Sequence, residues 1–422
     1  MKNEELNTPS PRSPHPLLRE GLGEATPQAN RLHIALYGKR NSGKSSLINA
    51  LTGQETAIVS DIPGTTTDPV SKAMEIHGIG ACLFIDTPGF DDEGELGEMR
   101  ITQTLKTTER TDIALLLCGG DSLEEETDLK EELHWFDMLK KREIPTILII
   151  NKTDIRKNTA NLASSIKEAT GDTPILVSAQ QRTGMELIRQ AILEQLPQDF
   201  EQPSITGKLV EEGNLVLLVM PQDIQAPKGR LILPQVQTIR ELLDKHCSVM
   251  SCTTDRLPQT LQALSRPPHL IITDSQVFRT VYEQKPAESR LTSFSILFAG
   301  YKGDIDYYVE SAAAIDSLTP SSRVLIAEAC AHAPLTEDIG RVKLPRLLRK
   351  RIGEELAIDI VAGRDFPDDL SPYSLIIHCG ACMFNRKYVL SRIGKARLQH
   401  IPMTNYGVAL AYLNGILKEV EY

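Results

Sequence analysis

Apolar residues along the chain gather into runs of strand length, separated by stretches where they recur at helical spacing. In the first third the runs are "LHIALY" (32–37), "ACLFI" (81–85), "IALLLC" (113–118) and "TILII" (146–150), each short enough to be a buried strand. "SLINALTG" and "GMELIRQAILEQLP" carry the helical spacing, the second stopping at Pro197. A polar, proline-bearing stretch follows, so a linker is expected at 198–207. Beyond it "NLVLLVMP", "SVMSC" and "HLIIT" read as strands, with "QVQTIRELLDK" and "LPQTLQALS" as helices between them. From residue 286 the runs "SFSILFAG", "RVLIAEAC", "LAIDIVAG" and "SLIIHCG" are again of strand length, with helical patterns in "DIDYYVESAAAIDSL" and "LPRLLRKRIGEEL". Strands alternating with helices predict parallel sheets. The expected fold class is α/β in three units, 28–197, 208–285 and 286–422, behind a polar, proline-rich tail at 1–27 expected to be disordered.

Composition narrows the picture. A chain of 422 residues exceeds one ordinary domain, since domains run to about 100–200 residues. With 41% hydrophobic and 24% charged residues it reads as a soluble globular protein. No apolar run approaches the ~18 residues of a membrane span, and the N-terminus lacks a secretory apolar core. A cytoplasmic protein with no membrane partner is expected. The net charge of −10 and the lack of a basic stripe argue against a nucleic-acid partner. Seven cysteines without a secretory signal imply reduced thiols. Cys82, Cys118, Cys247 and Cys252 lie in or near apolar runs and are expected in the core.

The chemistry begins at Gly38-Lys39-Arg40-Asn41-Ser42-Gly43-Lys44-Ser45, which stands between a strand and a helix. This is the phosphate loop G-x-x-x-x-G-K-S in its required context. Its glycines let backbone N–H groups converge on phosphate oxygens, and the helix N-terminus adds positive potential. Lys44 is expected on the terminal phosphates and the Ser45 hydroxyl on Mg²⁺, with Asn41, Gly43 and Ser46 completing the loop. Asp86-Thr87-Pro88-Gly89 ends the next apolar run. Asp86 suits the Mg²⁺ shell, and the Gly89 N–H suits the γ-phosphate. Asn151-Lys152-Thr153-Asp154 ends another run. An aspartate there accepts both N–H donors on one edge of guanine, and adenine has no matching pair. Ser178-Ala179 follows a further strand, where a backbone N–H meets the guanine carbonyl. Four such motifs at strand C-termini, the ligand edge of an open α/β sheet, predict a GTPase using GTP, GDP and Mg²⁺.

These residues resemble the TrmE–Era group of bacterial GTPases. "PGTTTD" is similar to that group's switch segment, which implies Thr66 as second Mg²⁺ ligand and makes Lys44, Thr66 and Gly89 the catalytic set. Asn41 is similar to the phosphate-loop asparagine that goes with K⁺ binding. Phe90 stands where Ras-like proteins carry a water-orienting glutamine. An apolar ring cannot orient water by hydrogen bonding, so slow, K⁺-stimulated hydrolysis is expected.

Two apolar runs end in Cys-x-His (Cys330, His332) and His-Cys-x-x-Cys (His378, Cys379, Cys382). If their strands are parallel neighbours, the three thiols converge at one sheet edge. Structural thiols, a tetrahedral zinc site and an iron–sulfur site with three cysteines all suit this spacing.

The GTPase motifs, the middle α/β unit and the terminal cysteine pattern together resemble the HydF family of [FeFe]-hydrogenase maturation GTPases, over essentially the whole chain after the tail. The resemblance implies a homodimer formed through 208–285 and a [4Fe–4S] cluster on Cys330, Cys379 and Cys382 in 286–422. It also implies a scaffold or carrier role for a transient di-iron subcluster precursor, with radical-SAM maturation enzymes and apo-[FeFe]-hydrogenase as partners. "TNYGVALAYLNGIL" is similar to the family's C-terminal segment, a polar turn followed by a helix. His332 and His378 are both candidates for the fourth iron ligand. Both cannot be that single ligand, so at least one is expected only to hydrogen-bond nearby backbone. The rival expectation is an RNA- or ribosome-associated GTPase of the Era/TrmE kind with a zinc-stabilised C-terminal domain.

Overall fold

The computed structural model describes residues 28–53, 70–76, 78–90, 95–119, 128–196, 204–221, 231–329, 338–363 and 365–422. The expected tail, Thr66, Cys330, His332 and most of the expected linker lie outside the described residues.

The first unit contains β1 (Leu32–Gly38), α1 (Lys44–Thr52), β2 (Val70–Ile76), β3 (Gly80–Asp86), α2 (Glu95–Thr108), β4 (Ile113–Cys118), α3 (Lys130–Lys141), β5 (Thr146–Ile150), α4 (Thr159–Thr170), β6 (Ile175–Leu176) and α5 (Met185–Glu194). They form one sheet in the order β2-β3-β1-β4-β5-β6. β3, β1, β4, β5 and β6 run parallel, and β2 is antiparallel at the edge. Helices cover both faces of the central strands, so β1 and β4 are buried at every position. That is why they read as unbroken apolar runs. Edge strand β2 alternates exposed and half-buried residues over 71–75 instead, before the buried Ile76.

The second unit contains β7 (Leu215–Val219), α6 (Leu233–Asp244), β8 (Ser248–Cys252), α7 (Leu257–Ala263), β9 (Leu270–Thr273), α8 (Phe278–Gln284), β10 (Arg290–Ser293) and α9 (Phe294–Lys302). Its sheet is parallel, in the order β10-β9-β7-β8. One sequence expectation needs correcting here. "SFSILFAG" is not a strand of the third unit. Its first residue closes β10, which joins the second sheet, and the rest is α9. This helix is apolar on nearly every side because it is sandwiched: Ile296 and Ala299 enter one core, Phe294, Leu297, Phe298 and Tyr301 another. A helix buried all round has no amphipathic stripe, so its pattern does not differ from a buried strand. Ser293 starts it by accepting the Ile296 N–H through its hydroxyl oxygen at 3.2 Å, the usual N-cap bond.

The third unit contains α10 (Ile305–Ala312), β11 (Arg323–Glu328), α11 (Leu344–Ile352), β12 (Ala357–Ala362), β13 (Leu375–His378), α12 (Arg386–Leu398), β14 (Met403–Asn405) and α13 (Tyr406–Leu413). Its sheet is also parallel, in the order β12-β11-β13-β14. The "TNYG" stretch is more than a turn: its first two residues end β14. One continuous core joins the second and third units, with Leu217, Ile271 and Phe278 packed in the same cluster as Leu325, Ile376 and Val408. A unit as small as the second buries limited apolar surface alone, and this shared core supplies the rest.

Candidate functional site

The phosphate loop turns on a glycine whose backbone conformation L side chains rarely adopt. Gly43, the N-cap of α1, has φ +92°, and a Cβ there would lie 2.3 Å from Asn151 Nδ2. The same Nδ2 donates to the Ser42 carbonyl at 3.1 Å, and Asn151 Oδ1 accepts the Ala179 N–H at 3.1 Å. Asn151 therefore ties the phosphate loop to the loop after β6. Lys44 Nζ donates to the Gly38 and Lys39 carbonyls, each at 2.8 Å. Ser45 donates its hydroxyl hydrogen to the Asp86 carboxylate. Burial pushes the Asp86 pKa up, against the Ser45 bond and the charges of Lys44 and Lys72. The two expected Mg²⁺ groups thus already touch. Asp154 accepts the Ser178 hydroxyl at 2.6 Å, so the carboxylate expected to read guanine is held in place from the neighbouring loop. Asn41 sits in the left-handed region at φ +53°, which asparagine tolerates better than most residues.

Phe90 turns away from this site. It is buried and stacks on Trp135, which stacks in turn on Tyr37. Lys39 crosses to α3, donating to the Asp128 carbonyl at 2.9 Å and lying 3.1 Å from the buried Glu132.

Cys379 and Cys382 lie at the third sheet, in the loop after β13. β11 and β13 are parallel neighbours, with Ala327 opposite His378. Ala329, the residue before Cys330, donates its N–H to Cys379 Sγ at 3.0 Å, and Ala381 N–H donates to the same sulfur at 3.4 Å. Burial pushes the Cys379 thiol up to about 11, against these two N–H groups. Two backbone donors on one sulfur suit a thiolate and so fit a metal-bound cysteine. Cys382, also half-buried, closes the loop. Among the described residues no group of three or more His, Cys, Asp and Glu side chains is arranged to hold a metal.

His378 is fully enclosed, with both ring nitrogens engaged. Nε2 lies 2.9 Å from Arg392 Nη1 and Nδ1 lies 2.8 Å from the Cys379 carbonyl. A guanidinium only donates, so Nε2 accepts and Nδ1 carries the proton. Burial, with Arg392 beside it, pushes the imidazole pKa down to about 3. It is a neutral ring hydrogen-bonded to the loop backbone.

Three site residues escaped the sequence reading. Lys302 ends α9 and reaches the loop carbonyls. Arg392 on α12 holds His378. Asn405 donates to the Cys379 carbonyl at 3.4 Å and accepts from Ser295 Oγ at 3.1 Å. The one signal available was a lone lysine closing the apolar run "ILFAGYK".

Comparison with known proteins follows this architecture. A profile described as "50S ribosome-binding GTPase" matches residues 33–152. Residues 205–303 match "Hydrogen maturase F dimerization domain" and 306–420 match "Hydrogen maturase F tetramerization domain". The chain belongs to the hydrogen maturase F family. Among curated relatives, tRNA modification GTPase MnmE of Caldicellulosiruptor saccharolyticus is 33% identical over 181 residues, 42% of this chain and 38% of that protein. GTPase Der of Wolinella succinogenes is 33% identical over 209 residues, 47% of this chain and 43% of that protein. The chain spans less than half the length of either. Both agree with a GTPase domain of the TrmE–Era type. In this hydrogen maturase F chain the two family-specific stretches meet between α9 and α10. Cys379 and Cys382 lie in the second stretch, Lys302 in the first. Among the described residues no helix is long and apolar enough to cross a membrane.

Proposed function

We propose that this hydrogen maturase F chain is a cytoplasmic GTPase and an iron–sulfur scaffold. It hydrolyses GTP slowly with Mg²⁺ and K⁺, and holds a [4Fe–4S] cluster on Cys330, Cys379 and Cys382. The di-iron precursor of the [FeFe]-hydrogenase subcluster is its cargo, supplied by radical-SAM enzymes and passed to the apo-hydrogenase. The observation that carries the reading is the N–H···S bond from Ala329 to Cys379. It brings the residue before Cys330 against the Cys379–Cys382 loop, in a chain that also carries a GTPase domain. We assign His378 to orienting the loop, because both its nitrogens are engaged. His332 is then the histidine candidate for the fourth iron position. Thr66 is assigned to Mg²⁺.

A homodimer through the second unit is part of the reading. β8 is an edge strand with Met250 exposed, and neighbouring α6 exposes Val236 and Leu243. An unpaired edge beside apolar side chains favours pairing with a second copy.

The test is anaerobic reconstitution with iron and sulfide. Wild type should be brown and Cys379→Ala nearly colourless, with GTP hydrolysis retained because the nucleotide motifs lie in a unit with its own core. A colourless wild type carrying zinc, or a Cys379→Ala protein with full iron and sulfide, would overturn the cluster assignment.

A further inference from the structure

Lys302 is 2% exposed, and its Nζ lies 3.2 Å from the Ala381 carbonyl oxygen, 3.3 Å from that of Cys382 and 2.7 Å from that of Phe384. Three acceptors around one nitrogen call for three N–H donors, which the ammonium form supplies. Burying an ammonium is unfavourable unless charge or hydrogen bonds offset it. Burial works against the charged form, and the thiols of Cys382 and Cys379 lie close enough to favour it. A second buried cation packs against the same loop. Arg392 lies within 4.6–4.8 Å of the Phe366, Phe384 and Tyr388 ring centroids and donates to His378, whose Nδ1 meets the Cys379 carbonyl. A loop holding two thiols is thus contacted by two buried positive charges. The three carbonyls take up the ammonium's hydrogens, and anionic thiolates bound to iron would offset its buried charge.

We propose that Lys302, which belongs to the dimerization-domain stretch, is a positioning residue of the thiolate site in the next domain: it fixes the Cys379–Phe384 loop, and its charge makes a cluster bound there easier to reduce. The inference rests on the cluster reading above. Net charge and hydrogen bonding around the sulfurs set cluster potentials, and a buried cation favours the more negative, reduced state. The site is then built across two domains, and any motion of α9 reaches the cysteine loop directly.

The experiment compares full-length wild type with Lys302→Met, Lys302→Gln and Lys302→Arg after anaerobic reconstitution. Iron and sulfide per chain and the midpoint potential are measured, and circular dichroism checks the fold. Methionine removes charge and donors. Glutamine keeps two N–H donors without charge. Arginine keeps the charge. Met and Gln should shift the oxidised-to-reduced ratio at a fixed potential at least tenfold towards oxidised, about 59 mV for a one-electron couple. Arg should restore most of the shift. Equal potentials in all four loaded proteins would overturn the role of Lys302 and leave the cluster reading standing. A wild type that takes up no iron and sulfide overturns both. If Met does not fold, Gln decides. Loss of fold in both makes Lys302 a purely structural residue and overturns its role at the cluster.

Discussion

Phe90 lies face to face with Trp135, their ring centroids 5.2 Å apart and their planes 17° from parallel. The residue after Gly89, where a water-orienting side chain would stand, is a core residue instead. Replacing it with a polar group should not create catalysis. Phe90→Gln is expected to change GTP turnover less than twofold while destabilising the domain. Phe90→Ala should destabilise it by about 3 kcal/mol, through lost burial and the cavity left against Trp135. Trp135 is the chain's one tryptophan, so its emission reports this stack during urea unfolding. A large rate gain in Phe90→Gln would show that the ring can leave its packing at little expense.

The legible parts of the molecule were those where one residue type serves one purpose. The buried parallel strands and the four nucleotide motifs could be read because each motif closes an apolar run. The expectation that Cys330 and Cys379 converge rested on the condition that their strands are neighbours, and β11 and β13 are; Cys330 itself lies outside the described residues. What stayed hidden depends on tertiary contact. α9 has no periodicity to betray it, since both its sides are core. α12 buries Tyr388, Val389, Arg392, Ile393 and Ala396 on one face. Arg392 at the centre of that face breaks the apolar stripe that would have marked a helix. The clamps on the cysteine loop, Lys302 and Asn405, are distant in sequence and meet it only in the fold.

Asp154 should control base choice. Its carboxylate is held by Ser178, and guanine needs two acceptors there. Asp154→Asn exchanges a double acceptor for one donor and one acceptor. GTP affinity should fall at least ~100-fold, with XTP gaining relative to GTP because xanthine carries a carbonyl where guanine has its amino group. Competition binding with GTP, XTP and ATP measures this. Equal losses for all three would mean that breaking the Asp154–Ser178 bond deforms the site.

Potassium should substitute for the orienting group that Phe90 does not provide. Asn41 lies in the phosphate loop, its backbone turned into the left-handed region. A bound cation there would stabilise charge developing between the phosphates. GTP hydrolysis should be roughly tenfold faster in KCl than in NaCl at equal ionic strength, and Asn41→Ala should abolish the difference. Equal wild-type rates in the two salts would remove K⁺ from the mechanism.

Asp112 links the GTPase domain to the cysteine loop and should give that contact a pH dependence. Its carboxylate accepts from the His33 N–H at 2.8 Å and from Asn385 Nδ2 at 3.3 Å. Asn385 caps α12, three residues after Cys382, and also donates to the Arg110 carbonyl at 2.9 Å. Desolvation pushes the Asp112 pKa up to about 7, against the His33 and Asn385 bonds and the Lys387 charge. In the unfolded chain an aspartate titrates near about 3.9. The folded state therefore binds the proton more tightly. The stabilisation is full below about pH 4 and is lost as pH rises through about 7, at no more than about 1.4 kcal/mol per pH unit. Asp112→Asn keeps an acceptor oxygen and cannot ionise. It should flatten thermal stability against pH across that window and exceed wild type above it. Asn385→Ala removes a donor that favours the ionised form, so it should push the upper end of the window higher. An unchanged slope in Asp112→Asn would assign the pH dependence to other groups and leave the contact between the two domains insensitive to protons.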